Sequence, residues 1–106
     1  MTKTLEEISF TLILHSGNAR SFAMEAIQAA KVGSFEEAAE KLKEADVAFV
    51  TAHHGQTELL QQEAQGNGVT PSILLIHAQD HLMTSMTVKE MAVEMVELYQ
   101  RLPKGV

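Results

Sequence analysis

Cysteine and tryptophan are absent from the 106 residues, aromatics make up only 5%, and proline occurs twice, at Pro71 and Pro103. Without cysteine there are no disulfides, no thiolate metal sites and no cysteine nucleophile, so imidazole and carboxylate are left as the groups that carry chemistry. A reducing cytosol fits this composition. With so few aromatics in a 45% hydrophobic chain, the core must be built from Leu, Ile, Val, Met and Ala. These residues favour helices, and the scarcity of proline leaves long stretches free to form them. No window approaches the about 18 uninterrupted apolar residues of a spanning helix. The N-terminus Met1-Thr2-Lys3-Thr4-Leu5-Glu6-Glu7 turns acidic before any apolar run develops. A cytoplasmic chain with no direct membrane insertion is expected.

Basic residues are also scarce. Eight Lys plus Arg stand against fourteen Asp plus Glu, for a formal charge of −6, and no basic stripe is interleaved with aromatics. Nucleic-acid binding is therefore disfavoured, and a protein partner or small ligand is expected instead. The signatures G-x-x-x-x-G-K-[ST], G-x-G-x-x-G and G-x-S-x-G are missing, which removes support for nucleotide binding and serine hydrolysis. The length suits one domain, taken as residues 1–106.

What is present reads as three helices. Leu5, Ile8, Leu12, His15, Ala19, Phe22, Ala26 and Ala29 recur at the 3-4 spacing of a helix packed along its neighbours. Only His15 is polar in that row, as a satisfied core or interface histidine or as part of a polar site. Gly33 suits a left-handed C-terminal cap, and Ser34 with Glu37 forms the S-x-x-E capping box of a second helix. Its seam is Phe35, Ala38, Leu42, Ala45, Phe49, Ala52, Gln56 and Leu59, and Glu36, Glu37, Glu40, Glu44 and Asp46 give it a solvated acidic face. After the loop Gln65-Gly66-Asn67-Gly68-Val69-Thr70-Pro71, Thr70 and Pro71 read as N-cap and first residue of a third helix beginning near Ser72.

The third helix is apolar on more than one face, through Ile73, Leu74, Leu75, Ile76, Leu82, Met83, Met86, Val88, Met91, Val93, Met95, Val96 and Leu98. Such a helix must be buried on several sides. An up-down-up, antiparallel three-helix bundle cannot supply that many neighbours, so self-association through this helix is expected. The four methionines read as adaptable core filling.

The chemistry concentrates in Ile76-His77-Ala78-Gln79-Asp80-His81-Leu82-Met83. At about 100° per residue, Asp80 lies about 60° to one side of His77 and His81 about 40° to the other, so the three share one wedge. Histidines at i and i+4 can reach one metal ion, with Asp80 as a third ligand and His53-His54 of the second helix as a further source, although adjacent histidines cannot both aim inward. Alternatively, His77 is a nucleophile toward a phosphoryl group, with His81 donating a proton or orienting it and Thr84 offering a hydroxyl. A carboxylate on an apolar face costs several kcal/mol unless it is paired, protonated or coordinating a cation. Several copies of Asp80 meeting on a symmetry axis, neutralised by a divalent ion, would meet that condition. A non-enzymatic metal-binding or scaffold protein using His77, Asp80 and His81 as ligands is the second reading.

Three segments carry a resemblance: Ile13-Leu14-His15-Ser16-Gly17-Asn18-Ala19-Arg20-Ser21, Ala52-His53-His54-Gly55-Gln56-Thr57-Glu58-Leu59 and Ile76-His77-Ala78-Gln79-Asp80-His81-Leu82-Met83-Thr84. With these, nearly the whole chain resembles the lactose/cellobiose-type enzyme IIA component of the bacterial phosphoenolpyruvate-dependent sugar phosphotransferase system, a family that includes chitobiose-specific proteins. The resemblance implies a phosphotransferase component in which His77 accepts a phosphoryl group from the phosphocarrier HPr and passes it to a cysteine of enzyme IIB. It implies a homotrimer of three-helix bundles, nine helices in all, with Asp80 near the threefold axis sharing a divalent cation, usually assigned as Mg2+. His81 and Gln79 are carried over as supporting residues, and His15 takes no catalytic role. The sugar would be a disaccharide of the lactose, cellobiose or chitobiose class.

Overall fold

The structure, a computed structural model, describes residues 4–103. They form three helices, α1 (Leu5–Lys31), α2 (Phe35–Ala64) and α3 (Ile73–Arg101), in a rod of 57 × 21 × 20 Å. At about 1.5 Å per residue each helix spans roughly three-quarters of the rod. Ile8, Leu12 and Ala19 of α1 pack with Ala48, Phe49 and Ala52 of α2 and with Ala78 and Leu82 of α3. Ala26, Ala29 and Ala30 pack with Ala38 and Val96. The early part of α1 thus meets the late part of α2 and the early part of α3, so α2 runs antiparallel to the other two.

The helices do not share contacts evenly. Both α2 and α3 lie against α1 and barely touch each other. The central helix consequently buries two rows. One is the expected heptad row, of which Ile8, Leu12, Ala19, Ala26 and Ala29 are buried and His15 and Phe22 half-buried. The second row, Ser9, Ser16, Ala23, Ile27 and Ala30, was not apparent from the apolar spacing. Its small residues let helices approach closely. Ser9, Ser16 and Ser85 are fully buried with hydroxyls that find no hydrogen-bond partner among the described residues.

The turns follow from local chemistry. Gly33, with φ of 80°, donates to Ala30 O at 3.1 Å, and Ser34 N–H donates to Ala29 O at 2.9 Å, a Schellman closure of α1. Gly66, with φ of 85°, closes α2 in the same way, Asn67 N–H reaching Gln62 O at 2.8 Å. The Ser34 side chain makes no capping hydrogen bond, so the expected capping box with Glu37 does not form. Ser34 is already committed to closing α1, and its ψ of 69° departs from the 160° and 161° at which Thr4 and Ser72 cap α1 and α3. Ser72, rather than Thr70, is the N-cap of α3, accepting from Leu75 N–H at 3.1 Å. Pro71 stands before the cap and not at the first helical position.

Polar contacts bind the outer helices. Lys89 of α3 pairs with Asp46 of α2 at 2.7 Å, and Lys41 of α2 reaches Glu25 of α1 at 3.7 Å while lying 5.7 Å from the centre of the Phe22 ring. Exposed pairs of this kind contribute little each, so the core decides stability. Leu82 is fully buried among residues of all three helices. Leu82→Ala should cost about 2–5 kcal/mol, measured as a lowered denaturation midpoint with an unchanged slope.

Candidate functional site

The site lies on the first three turns of α3, held against α1 by the fully buried Ala78 and Leu82. Ala78 and Leu82 recur at i and i+4 and face inward, which turns the intervening residues away from the core. His77 and Asp80 are exposed, while Gln79 and His81 are half-buried. The His77 and His81 rings are stacked, with centroids 5.8 Å apart and planes inclined by 23°. The i, i+4 spacing therefore yields a real imidazole pair, with one ring open to solvent and one partly held by the bundle.

His81 is held by α1. A Cβ on Gly17 would stand 3.3 Å from His81 Nε2, so the ring lies directly over that glycine. Gly17 has no place in the apolar seam of α1, although a glycine within a 27-residue helix is itself a sign of close approach. Thr84 does not join the imidazoles as expected. Its hydroxyl donates back to Asp80 O at 2.9 Å, the ordinary use of a threonine within a helix.

Asp80 lies about 60° from His77 and about 100° from His81 around the helix, at the middle of an apolar strip. Taken at about 100° per residue, Ile73, Ile76, Met83, Met91 and Leu98 all lie within about 60° of Asp80. Every one of them is exposed, Ile73 at 87% and Ile76 at 59%. The expectation that α3 is buried on several sides is thus not met within a single chain: only Ala78, Leu82, Ser85, Ala92 and Val96 are buried. Of the four methionines read as core filling, Met86 packs on the core and Met83, Met91 and Met95 are exposed. Met91 and Met95 border a cleft shared with Met24, Ile27 and Gln28 of α1, whereas Ile73, Ile76, Met83 and Leu98 stand exposed on the outer side of α3. The cost argued for a carboxylate on an apolar face does not arise while Asp80 remains in water.

The other histidines stay apart. His53 and His54 are exposed on α2, and His15 lines a cleft on the α2 side of α1 with Asn18, Phe22 and Val47. Among the described residues, no group of three or more His, Asp or Glu is arranged to hold a metal ion within one chain. His77, Asp80 and His81 thus do not form the three-ligand site weighed from spacing. No helix among the described residues is long and apolar enough to cross a membrane.

The site is thus a stacked histidine pair on the surface of an all-helical bundle. Residues 7–100 match the family described as the lactose/cellobiose-specific IIA subunit of the phosphotransferase system, and the chain belongs to that family of phosphotransferase components. It is 54% identical to the lichenan-specific phosphotransferase enzyme IIA component of Bacillus subtilis (strain 168), over 96% of this chain and 93% of the relative. The crystal structure of the cellobiose-specific enzyme IIA from Bacillus anthracis superposes with a TM-score of 0.90 at 57% identity, covering 95% of this chain and 93% of that one. The IIA(chitobiose) chain in the solution structure of the IIA(chitobiose)–HPr complex of Escherichia coli gives 0.81 at 39% identity, covering 94% and 97%.

Proposed function

We propose that His77 accepts a phosphoryl group from phospho-HPr and donates it to a cysteine of the sugar-specific enzyme IIB, during uptake of a disaccharide of the lactose, cellobiose or chitobiose class. The observation that carries this reading is the exposed His77 ring stacked 5.8 Å from His81, in a chain of the IIA family. A neutral imidazole is a nucleophile near pH 7, and phosphoryl transfer through a loose transition state needs mainly in-line access and donors for the equatorial oxygens. His77 has the access. His81, half-buried and stacked on it, supplies a donor, whereas Gln79 at i+2 lies about 160° around the helix from His77. The related chitobiose protein whose structure was solved with HPr supports HPr as the phosphoryl source.

Incubation with phosphoenolpyruvate, enzyme I and HPr should add one acid-labile phosphoryl group per chain, read by intact mass at alkaline pH. An unmodified wild-type chain would contradict the proposal. His81→Ala should slow transfer about 100-fold yet leave His77 able to be phosphorylated. Complete loss of labelling in that variant would reassign the acceptor.

The same reading makes the active unit a homotrimer. The exposed apolar strip of Ile73, Ile76, Met83, Met91 and Leu98 supports burial of α3 against copies of itself around a threefold axis. Asp80 would then lie at that axis. Its carboxylate makes no ion pair among the described residues, and hard oxygen donors from three subunits fit a divalent cation such as Mg2+, completed by water. The ion's contribution there is charge neutralisation.

A further inference from the structure

Gly17 lies in the interior of α1 with ordinary helical backbone, since positive φ among the described residues is confined to Gly33 and Gly66. Conformational freedom therefore does not explain a glycine at this position, and glycine is second only to proline as a poor helix former. The space a side chain would take does explain it. A Cβ here would stand 3.3 Å from His81 Nε2 and meet no other neighbouring atom within 4 Å outside its own helix. That is closer than the about 3.5–4.0 Å at which non-bonded heavy atoms rest in contact. The missing Cβ thus serves one side chain only.

Gly55 shows the contrast. A Cβ there would meet Ile8 and Leu12 at 3.6–3.8 Å, ordinary packing against core side chains. The backbone of α3 cannot retreat from an alanine at 17, because Ala78 and Leu82, which flank His81 on the inward face, are fully buried. The imidazole tip must instead give by a few tenths of an ångström. Its other neighbour is the His77 ring, so a displaced His81 changes the 5.8 Å stack.

We propose that Gly17 is a positioning residue, which by lacking a Cβ seats the His81 imidazole against α1 and so sets its stack on His77. This rests on the reading of His77 as the phosphoryl acceptor, and the two ideas fail separately. In Gly17→Ala, the His81 imidazole resonances should shift and the cross-peaks between the His77 and His81 rings weaken, with those of His53 and His54 unmoved. The melting temperature should equal or exceed that of wild type, because alanine is the better helix former. Unmoved His81 resonances would overturn the proposal whatever the protein carries.

The functional arm is a cycle of phosphorylation rates from phospho-HPr. Gly17→Ala should slow transfer about tenfold in the wild-type background and not further in His81→Ala, while Gly55→Ala leaves the rate unchanged. Equal slowing in both backgrounds would show that Gly17 acts independently of His81, and no slowing in wild type would show that its seat does not matter; either overturns the proposal. A wild-type chain that takes no label contradicts the carrier reading alone, and the resonances then decide Gly17 by themselves.

Discussion

His77→Ala should take up no phosphoryl group from phospho-HPr, with transfer reduced on the order of a thousandfold or more, because the variant removes the nucleophile itself. The bundle should be unaffected. His77 is exposed and outside every core cluster, and alanine is a better helix former than histidine. Circular dichroism and melting temperature should therefore match wild type, which separates lost chemistry from lost folding. The pattern to set beside it is that of His81→Ala, slowed but still labelled. If the phosphoryl group instead appeared on the alanine variant at a comparable rate, one of the remaining histidines would be the acceptor. His53 and His54 are exposed as well, so exposure by itself does not choose the acceptor; the stacked partner distinguishes His77.

Asp80→Leu should yield a trimer that no longer needs a divalent ion. In the proposed assembly the wild-type carboxylates approach one another among Ile76, Met83 and their neighbours, and without a cation they repel in a poorly solvated place. Wild type should accordingly weaken in sedimentation when EDTA is added. Replacing the charge with a leucine continues the exposed apolar strip and should strengthen association by on the order of 1–4 kcal/mol, as when buried charges give way to apolar side chains. The gain appears as chelator resistance and a higher melting temperature at equal concentration. A monomeric wild type at micromolar concentration, or an Asp80→Leu chain that dissociates more readily, would contradict the axial placement.

The parts of the fold that depend on apolar spacing and on glycine were legible in the sequence. The α2 row of Ala38, Ala45, Phe49 and Ala52 is buried as its heptad spacing requires, and Gly33 takes the left-handed conformation that ends α1. The second buried row of α1 is not legible in the sequence because Ser9, Ser16 and Ala23 carry almost no hydrophobic signal. They are buried because α1 lies between two helices, a tertiary fact that no local pattern states. Ser34 failed as a cap for a related reason, since two adjacent helix ends compete for one residue and the Schellman closure of α1 fixes its backbone.

At the site, the i, i+4 spacing of His77 and His81 was enough to foresee an imidazole pair, and the structure stacks the two rings. Helical spacing also places the carboxylate and the imidazoles on different edges of the helix, but it does not show that Ile73, Ile76 and Met83 are exposed. Apolar composition alone reads those residues as buried, whereas a single chain has nothing to bury them against. The seat of His81 on Gly17 joins residues 64 positions apart, and sequence offers only an unexplained glycine in a helix.

The central claim is that one particular imidazole carries the phosphoryl group. The most direct measurement is to label the wild-type protein from phosphoenolpyruvate through enzyme I and HPr, keep it alkaline, and locate the phosphohistidine by peptide mass spectrometry. A single phosphoryl group on His77 is the predicted result. A phosphoryl group on His81, His53, His54 or His15, or none on the chain, would contradict the account.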